Sequence, residues 1–186
     1  MAINTGFTKD EFDSWVRQNG WDVPGHIRWS FVPTLNLSPV SDAAKDAIRF
    51  WPASTARTGA QHQALLAGRV YLRDGCFFVS GRREAVDKLA WFHAEVGFDV
   101  DDEGYFVLRD RLGGQILTRL GEDMNWGGPP SAVIDPKAEQ ALHEACGPGD
   151  ITVVGSPEAR ERFVTQYPHM REPRIPPPPP PPSPAS

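Results

Sequence analysis

The sequence predicts an α+β fold: a small antiparallel sheet or a partly open barrel, with flanking helices and a disordered Pro-rich C-terminal tail. Between residues 68 and 128, short apolar segments alternate with Asp-Gly, Glu-Gly and Gly-Gly dipeptides, which is typical of strands joined by tight turns. Shorter stretches with helical periodicity lie around this block. The chain ends in a proline run that cannot join a packed core.

Length and composition predict one globular domain with appendages. The chain has 186 residues, of which 40% are hydrophobic and 23% are charged, as in ordinary globular domains. A domain of this size buries enough surface to fold without a metal or a disulfide. We expect residues 1–60 to form an N-terminal arm or helical subdomain, residues 61–168 the β-rich core domain, and residues 169–186 the disordered proline-rich tail.

The first elements are marked by capping and turn signals. Thr8, with Glu11 three residues later, forms a capping box that begins a helix ending near Gly20. A second short helix is predicted over residues 42–50, because Pro52 stops it. The strongest hairpin signal is Asp74-Gly75, which separates two strand-like segments at residues 69–73 and 76–79.

Residues 82–95 are compatible with two structures. Val86, Leu89, Ala90 and His93 recur at helical spacing, which favours a helix. The apolar run at residues 89–92 is equally typical of a buried strand. We predict the helix and keep the strand as the alternative.

The second half predicts four strands, then a helix, a strand and a last helix. The strands are expected at residues 97–100, 105–109, 115–120 and 123–126. Asp135-Pro136 is a cap followed by proline at the first helical position, so a helix is expected from there to Gly147. A strand at residues 151–154 precedes Ser156-Pro157, which repeats the cap-plus-proline signal for a helix through Val164.

Charge and motifs predict that the chain has no nucleic-acid partner, no membrane partner and no cofactor. The formal net charge is −5, and the arginines are interleaved with glutamates, so we expect no nucleic-acid partner. No apolar stretch is long enough to cross a membrane, so no membrane partner is expected either. The sequence contains neither a P-loop nor a dinucleotide-binding glycine motif, and we expect no cofactor.

The predicted state of the two cysteines follows from the predicted compartment. Cys76 and Cys146 do not belong to a Cys-x-x-Cys pair, which argues against a zinc or thioredoxin-type site. A bridge between them would require an oxidising compartment. Because the N-terminal segment has no apolar stretch typical of an export leader, we expect a cytoplasmic protein with both cysteines reduced and buried.

The sequence from residue 51 onward resembles an uncharacterised family of small β-rich bacterial proteins with no assigned function. The resemblance is carried by Trp51-Pro52-Ala53-Ser54, Arg73-Asp74-Gly75-Cys76-Phe77, Glu103-Gly104-Tyr105, Gly121-Glu122, Trp126-Gly127-Gly128-Pro129, Cys146-Gly147 and Val154-Gly155-Ser156-Pro157-Glu158. It implies a shared β-rich fold and no particular activity. Members of the family often look exported, which differs from the cytoplasmic prediction.

A partial EF-hand pattern lies in the turn before Gly104. The candidate calcium ligands are Asp99, Asp101, Glu103 and Asp110, which occupy positions 1, 3, 5 and 12 of such a loop. The pattern departs from the motif because the segment after Gly104 is typical of a strand rather than a helix. The alternative interpretation is a polar hairpin turn.

For function, we predict a non-catalytic binding or protein-interaction module with an unknown partner. The alternatives are a small hydrolase-type enzyme with an unrecognised site, or a calcium-stabilised structural protein. The enzyme hypothesis requires Cys76, His93 and an acid to meet in a cleft, whereas Cys76 lies in an apolar strand typical of a buried cysteine.

The proline-rich tail is the sequence feature with a known binding mode. A polyproline II segment is pre-ordered and binds aromatic grooves with little loss of entropy. The alternative is a solvating spacer. The predicted partner-binding residues are Pro176, Pro177, Pro178, Pro179, Pro180, Pro181 and Pro182.

Overall fold

The computed structural model describes residues 9–22, 24, 35–55, 64–81, 86–128 and 134–170, and these confirm an α+β fold. Within them lie three α-helices and eight strands. The helices are α1 (Lys9–Gln18), α2 (Pro136–Cys146) and α3 (Arg160–Gln166). The strands are β1 (Ala64–Arg73), β2 (Cys76–Gly81), β3 (Lys88–Phe92), β4 (Val96–Val100), β5 (Phe106–Asp110), β6 (Ile116–Arg119), β7 (Met124–Gly128) and β8 (Ile151–Ala159).

Five of the strands close into a barrel in the order β1, β2, β3, β8, β7, and β7 pairs back to β1. All neighbours are antiparallel except β3 and β8, which run parallel with Leu89 opposite Ile151 and Phe92 opposite Val154. A separate antiparallel sheet in the order β4, β5, β6 is formed by the chain between β3 and β7.

The predicted Asp-Gly hairpin is confirmed between β1 and β2. Asp74 and Gly75 both have positive φ, at 50° and 76°, as a two-residue turn of type I′ requires. The turn pairs Arg73 with Cys76, and the register continues to Gly68 opposite Gly81. Because side chains alternate along a strand, this register decides which residues of the hairpin enter the barrel and which face outward.

Aromatic and branched side chains fill the barrel. Phe77 and Phe92 are fully buried, and Trp126 is 2% exposed. The ring of Trp51, which comes from the segment before β1, stacks 4.9 Å from Phe92 and lies 6.0 Å from Phe98. Bulky rings from three parts of the chain therefore form one core.

The helix predicted over residues 42–50 is present only as a short 3₁₀ helix at Lys45–Ala47. The N–H of Arg49 donates to the carbonyl of Gly75 in the hairpin turn at 2.9 Å. This N–H is therefore not available for a hydrogen bond within a longer helix. The 35–55 segment packs Ala44 and Trp51 into the barrel core. The predicted domain boundary at residue 60 lies outside the described residues and stays a prediction.

The helix predicted over residues 82–95 is wrong where the structure describes it, because β3 occupies Lys88–Phe92. Ala90 and Phe92 belong to the barrel core, while Leu89 and Trp91 pack on the opposite side with Leu142 of α2. A strand buried on both faces has no polar alternation, so its apolar run matched helical spacing by coincidence.

The last helix begins later than predicted. β8 continues through Ser156 and Pro157, and α3 starts only at Arg160. Pairing with β7 keeps the chain extended there, since Asn125 lies opposite Glu158 and Met124 opposite Ala159. The cap-plus-proline signal was therefore overridden by long-range strand pairing.

Two helix predictions are confirmed. α1 ends where Gly20, at φ 65°, allows the N–H of Trp21 to reach the carbonyl of Val16; Thr8 itself lies outside the described residues. The helix from Asp135 is present as α2, and Asp135 Oδ1 accepts a 2.9 Å hydrogen bond from the N–H of Lys137. In the described part of the chain, no helix has the length and apolarity needed to cross a membrane.

The prediction that both cysteines are reduced is wrong. Cys76, at the start of β2, and Cys146, at the end of α2, form a disulfide with their Cα atoms 5.7 Å apart. The sequence separation of 70 residues gave no local signal for this pairing, which depends on how β2 and α2 meet in the fold. The bridge fixes the C-terminal end of α2 to the barrel.

Candidate functional site

The outward side of the β1–β2 hairpin carries a compact set of aromatic and charged side chains. Val70 and Leu72 of β1 point into the core, so Arg69, Tyr71 and Arg73 point outward. Phe78 lies opposite Tyr71 on β2, and Asp87 contacts Tyr71 just before β3. We call these five residues, Arg69, Tyr71, Arg73, Phe78 and Asp87, the hairpin face.

The aromatic rings of the hairpin face stack on one another and on an arginine. The centroids of Tyr71 and Phe78 are 5.8 Å apart, with an angle of 22° between the ring planes. The guanidinium carbon of Arg73 lies 4.2 Å from the centroid of Phe78 and 5.9 Å from that of Tyr71. This is a cation–π arrangement in which Arg73 covers Phe78 more closely than Tyr71.

Carboxylates balance the arginines at this surface. The Tyr71 hydroxyl donates to Asp87, and Arg69 Nε donates to Asp123 Oδ1 at 2.7 Å. Partial burial, followed by the hydrogen bond to Asp87, raises the pKa of Tyr71 above its usual value, so its hydroxyl stays protonated at neutral pH. Together with Asp123, the hairpin face carries two guanidinium groups and two carboxylates, so the formal charges of these described residues cancel.

An open cleft of about 570 Å³ adjoins the hairpin face at Arg69. Its walls include Asp123, Arg160 and Glu161. Arg160 Nη1 also donates to the side-chain oxygen of Asn125, which is 2% exposed, at 3.3 Å. Hydrogen-bond donors and acceptors thus continue from the hairpin face into a concave surface.

The predicted calcium ligands lie near one another but are engaged by arginines and backbone amides. Asp101 Oδ1 accepts from the N–H groups of Glu103 and Tyr105, at 3.0 and 2.9 Å, and Oδ2 accepts from Arg119 Nε at 2.7 Å. Asp99 pairs with Arg109 at 3.1 Å, and Glu103 pairs with Arg119 at 3.0 Å.

Asp110, the fourth predicted ligand, belongs to the next turn. It accepts hydrogen bonds from the N–H groups of Leu112 and Gly113 at 3.2 and 3.0 Å. Within the described residues, no group of three or more His, Cys, Asp or Glu side chains is arranged to hold a metal ion. The geometry is that of polar turns, which was the alternative interpretation, and the calcium site stays a prediction.

We expect calcium to leave the melting temperature unchanged. Burial raises the pKa of Asp101, but hydrogen bonds from the Tyr105 N–H, Arg119 and the Glu103 N–H outweigh it and hold the pKa below its usual value. A calcium ion would have to displace Arg119 from this carboxylate. Thermal melts with added calcium and with EDTA test this, and a higher melting temperature in calcium would support the predicted calcium site.

The structure removes the thiol from the hydrolase hypothesis. The sulfur of Cys76 is bonded to that of Cys146, so no thiolate is present to act as a nucleophile. The residue Cys76 is also only 3% exposed. His93 is 1% exposed and packs so closely on Gly155 that a Cβ there would lie 2.3 Å from its Cε1 atom. His93 is therefore a packed core histidine at the end of β3.

Acid should destabilise the fold through His93. Burial lowers the pKa of His93 below 6.5, and the charge of Glu95 offsets this only in part. The unfolded chain then binds the proton more readily, so stability falls as the pH drops below the unfolded value of about 6.5, down to the folded pKa. Urea unfolding at about pH 7.5 and about pH 5.5, above the range in which most carboxylates titrate, measures the loss.

His93→Gln should lose much of that difference between the two pH values, whatever its absolute stability. His143→Gln is the matched control: His143, on α2, is only half-buried and contacts the Gly149 carbonyl at 3.1 Å. An unchanged acid dependence in His93→Gln would show that another group is responsible.

Sequence reasoning missed the hairpin face. The signal was present, because Arg69, Tyr71 and Arg73 alternate with apolar residues in a segment already predicted as a strand. The partners of these residues, Phe78 and Asp87, depend on the strand register and on the path into β3. The predicted proline-rich binding segment, Pro176–Pro182, lies outside the described residues.

Comparison of the chain with protein-family models, with curated proteins and with solved structures finds no match. The resemblance to a family of small bacterial proteins therefore stays a prediction.

Proposed function

We propose that this chain is a non-catalytic binding module that acts in an oxidising compartment and uses the hairpin face to hold its ligand. The observation that carries the proposal is the outward stack of Tyr71, Phe78 and Arg73. Tyrosine and arginine are enriched among the residues that dominate binding energies at interfaces. The stack stands on two paired strands of a closed barrel, so little conformational entropy is lost when a ligand binds.

The composition of the face supports binding rather than chemistry. Its members supply rings, guanidinium groups and a carboxylate, and the Tyr71 hydroxyl is held in its protonated form. Burial and the hydrogen bond to Asp87 raise the pKa of Tyr71, so its hydroxyl ionises less readily than that of an ordinary tyrosine. These side chains suit recognition of a ligand and do not suit attack on one.

The disulfide supports an oxidising compartment. Such bonds persist outside the cytosol and are rare inside it. The cytoplasmic prediction was drawn from the N-terminal segment and implied reduced cysteines, whereas Cys76 and Cys146 are bonded. Trapping free thiols with an alkylating reagent in intact native cells tests this step, and recovery of the protein with both cysteines alkylated would contradict it.

Capture from the native cell envelope and secreted fraction tests the binding role. We compare the full chain, the Tyr71→Ala variant and a chain truncated after Met170. The proposal expects a captured ligand or partner that Tyr71→Ala releases and that the truncated chain keeps. Loss on truncation alone would assign binding to the proline-rich tail, and capture that is unaffected by either change would exclude the hairpin face.

A further inference from the structure

We infer that the ligand of the hairpin face is a neutral oligosaccharide. This inference rests on the binding role proposed above and adds the chemical class of the ligand. It follows from three properties of the face: its charge balance, its half-buried tyrosine ring and the kinds of hydrogen-bonding groups beside that ring.

Charge balance argues for an uncharged ligand. Arg69 is paired with Asp123, Asp87 accepts the hydrogen bond of the Tyr71 hydroxyl, and Arg73 lies over the Phe78 and Tyr71 rings. A polyanion would meet two carboxylates on this surface, and a polycation would meet two guanidinium groups. Neither gains the net attraction that draws charged polymers to a binding site.

The Tyr71 ring supplies a flat apolar surface. Arg73 lies 4.2 Å from the Phe78 centroid and 5.9 Å from that of Tyr71, so it covers Phe78 more closely, and the half-buried Tyr71 ring keeps part of its surface toward solvent. Sugar rings present C–H groups on their flat sides and hydroxyls around their edges. Stacking on Tyr71 buries the apolar side of such a ring while the edges stay available for hydrogen bonds.

The polar groups beside that ring match hydroxyls. A hydroxyl both donates and accepts, so it can donate to Asp87 or Asp123 and accept from Arg69 or Arg73. Arg73 lies four positions after Arg69, which corresponds to roughly 13 Å along a strand. The cleft at Arg69 extends this row of donors and acceptors, so a short linear oligosaccharide can follow β1 across the face.

Single-stranded nucleic acid is the competing ligand for an aromatic–arginine surface. It requires a basic groove along its phosphates, whereas the two arginines of the hairpin face are balanced by Asp87 and Asp123, and the chain has a net charge of −5. The two ligand classes therefore differ in a property that can be measured directly, the dependence of affinity on salt.

The test is a titration of the full chain with neutral hexaoses and two polyanions, namely cellohexaose, maltohexaose, chitohexaose, polygalacturonate and an oligothymidylate. Binding is measured by calorimetry and from the chemical shifts of aromatic protons. The inference expects at least one neutral hexaose to bind with little dependence on salt. Tyr71→Ala should weaken that binding about tenfold, as expected for loss of a stacked ring with its buried area. Tyr71→Phe should keep most of it.

Tyr105→Ala is the matched control. Tyr105 is also a tyrosine beneath an arginine, with the Arg119 guanidinium carbon 4.4 Å from its ring, and it is more exposed than Tyr71, but it lies at the β4–β5 turn in the other sheet. This variant should bind the hexaose as well as the wild type does. Equal losses in Tyr71→Ala and Tyr105→Ala would show nonspecific stacking and overturn the inference.

The outcomes separate this inference from the proposed function. If no neutral hexaose binds, or if only polygalacturonate or the oligothymidylate binds, the oligosaccharide inference is wrong. If the envelope capture nevertheless yields a partner that Tyr71→Ala releases, the binding role survives with a different ligand. If that capture also fails to depend on Tyr71, both are wrong.

Discussion

Gly68→Ala is expected to destabilise the protein by about 3 kcal/mol or more. A Cβ at residue 68 would lie 2.3 Å from the backbone oxygen of Ser80, 3.1 Å from the Cα of Gly81 and 3.1 Å from the Trp126 ring. Two of these three contacts are backbone atoms of the neighbouring strand, which cannot turn away as a side chain can. The methyl group must therefore push β1 away from β2 at Gly68, next to the Trp126 ring.

Gly149→Ala is the control for this substitution. Its Cβ would meet the Leu89 side chain at 3.7 Å, an ordinary van der Waals distance, and the residue lies outside the barrel strands. Urea unfolding of the two variants and the wild type should show a large fall in midpoint for Gly68→Ala and a change within about 0.5 kcal/mol for Gly149→Ala. Equal stability of both variants would mean that β1 and β2 are not as close at Gly68 as the structure has them.

The sequence could predict the elements whose signals are local. Asp74-Gly75 predicted a two-residue turn because both positions require positive φ, and both have it. Asp135-Pro136 predicted the start of α2 because a carboxylate caps the first amides of a helix, and Asp135 accepts that hydrogen bond. In both cases, the physical cause and the sequence signal lie within a few residues.

The parts that failed depend on distant pairing. β3 is a strand because Leu89–Phe92 pair with Ile151–Val154, and β8 stays extended past Pro157 because Asn125 and Met124 pair with it. Neither partner is visible from the local pattern, and local propensity gives way when long-range hydrogen bonds and burial decide the structure. The closure of the barrel could not be predicted either, and the sequence predicted a small sheet or a partly open barrel instead.

The candidate site divides in the same way. Alternation along β1 could have placed Arg69, Tyr71 and Arg73 on one face, since a strand was predicted there. Nothing local could show that Asp87 accepts from Tyr71 or that Asp123 pairs with Arg69, 54 residues away. The acidic turn gave the clearest motif in the sequence, yet its carboxylates meet Arg109 and Arg119, which the spacing of the acids could not reveal.

Removal of the disulfide is the second change with a large expected effect. The bond closes a loop over a sequence separation of 70 residues, and cross-linking a loop of that length stabilises a fold by about 4 kcal/mol in the chain-entropy view. It also supports α2, whose Leu142 packs on Leu89 and Trp91 in a cluster separate from the barrel core. We expect reduction to lower the melting temperature by about 10 °C or more.

The double variant Cys76→Ala, Cys146→Ala shows whether the effect of the reductant comes from loss of the disulfide. Alanine suits the 3% exposed site of Cys76, because serine would bury a hydroxyl there. Unfolding is measured for the wild type and the double variant, each with and without dithiothreitol. The reductant should bring the wild type close to the double variant and leave the double variant unchanged.

The result also bears on where the protein works. If the fold needs the bond for a large part of its stability, the reduced chain would be marginal in a reducing cytosol, since whole domains are stable by only about 5–15 kcal/mol. An oxidising compartment is then a requirement of folding and not only a place where the bond can form. A reduced chain as stable as the oxidised one would remove that requirement, and the compartment would have to be decided by thiol trapping in cells alone.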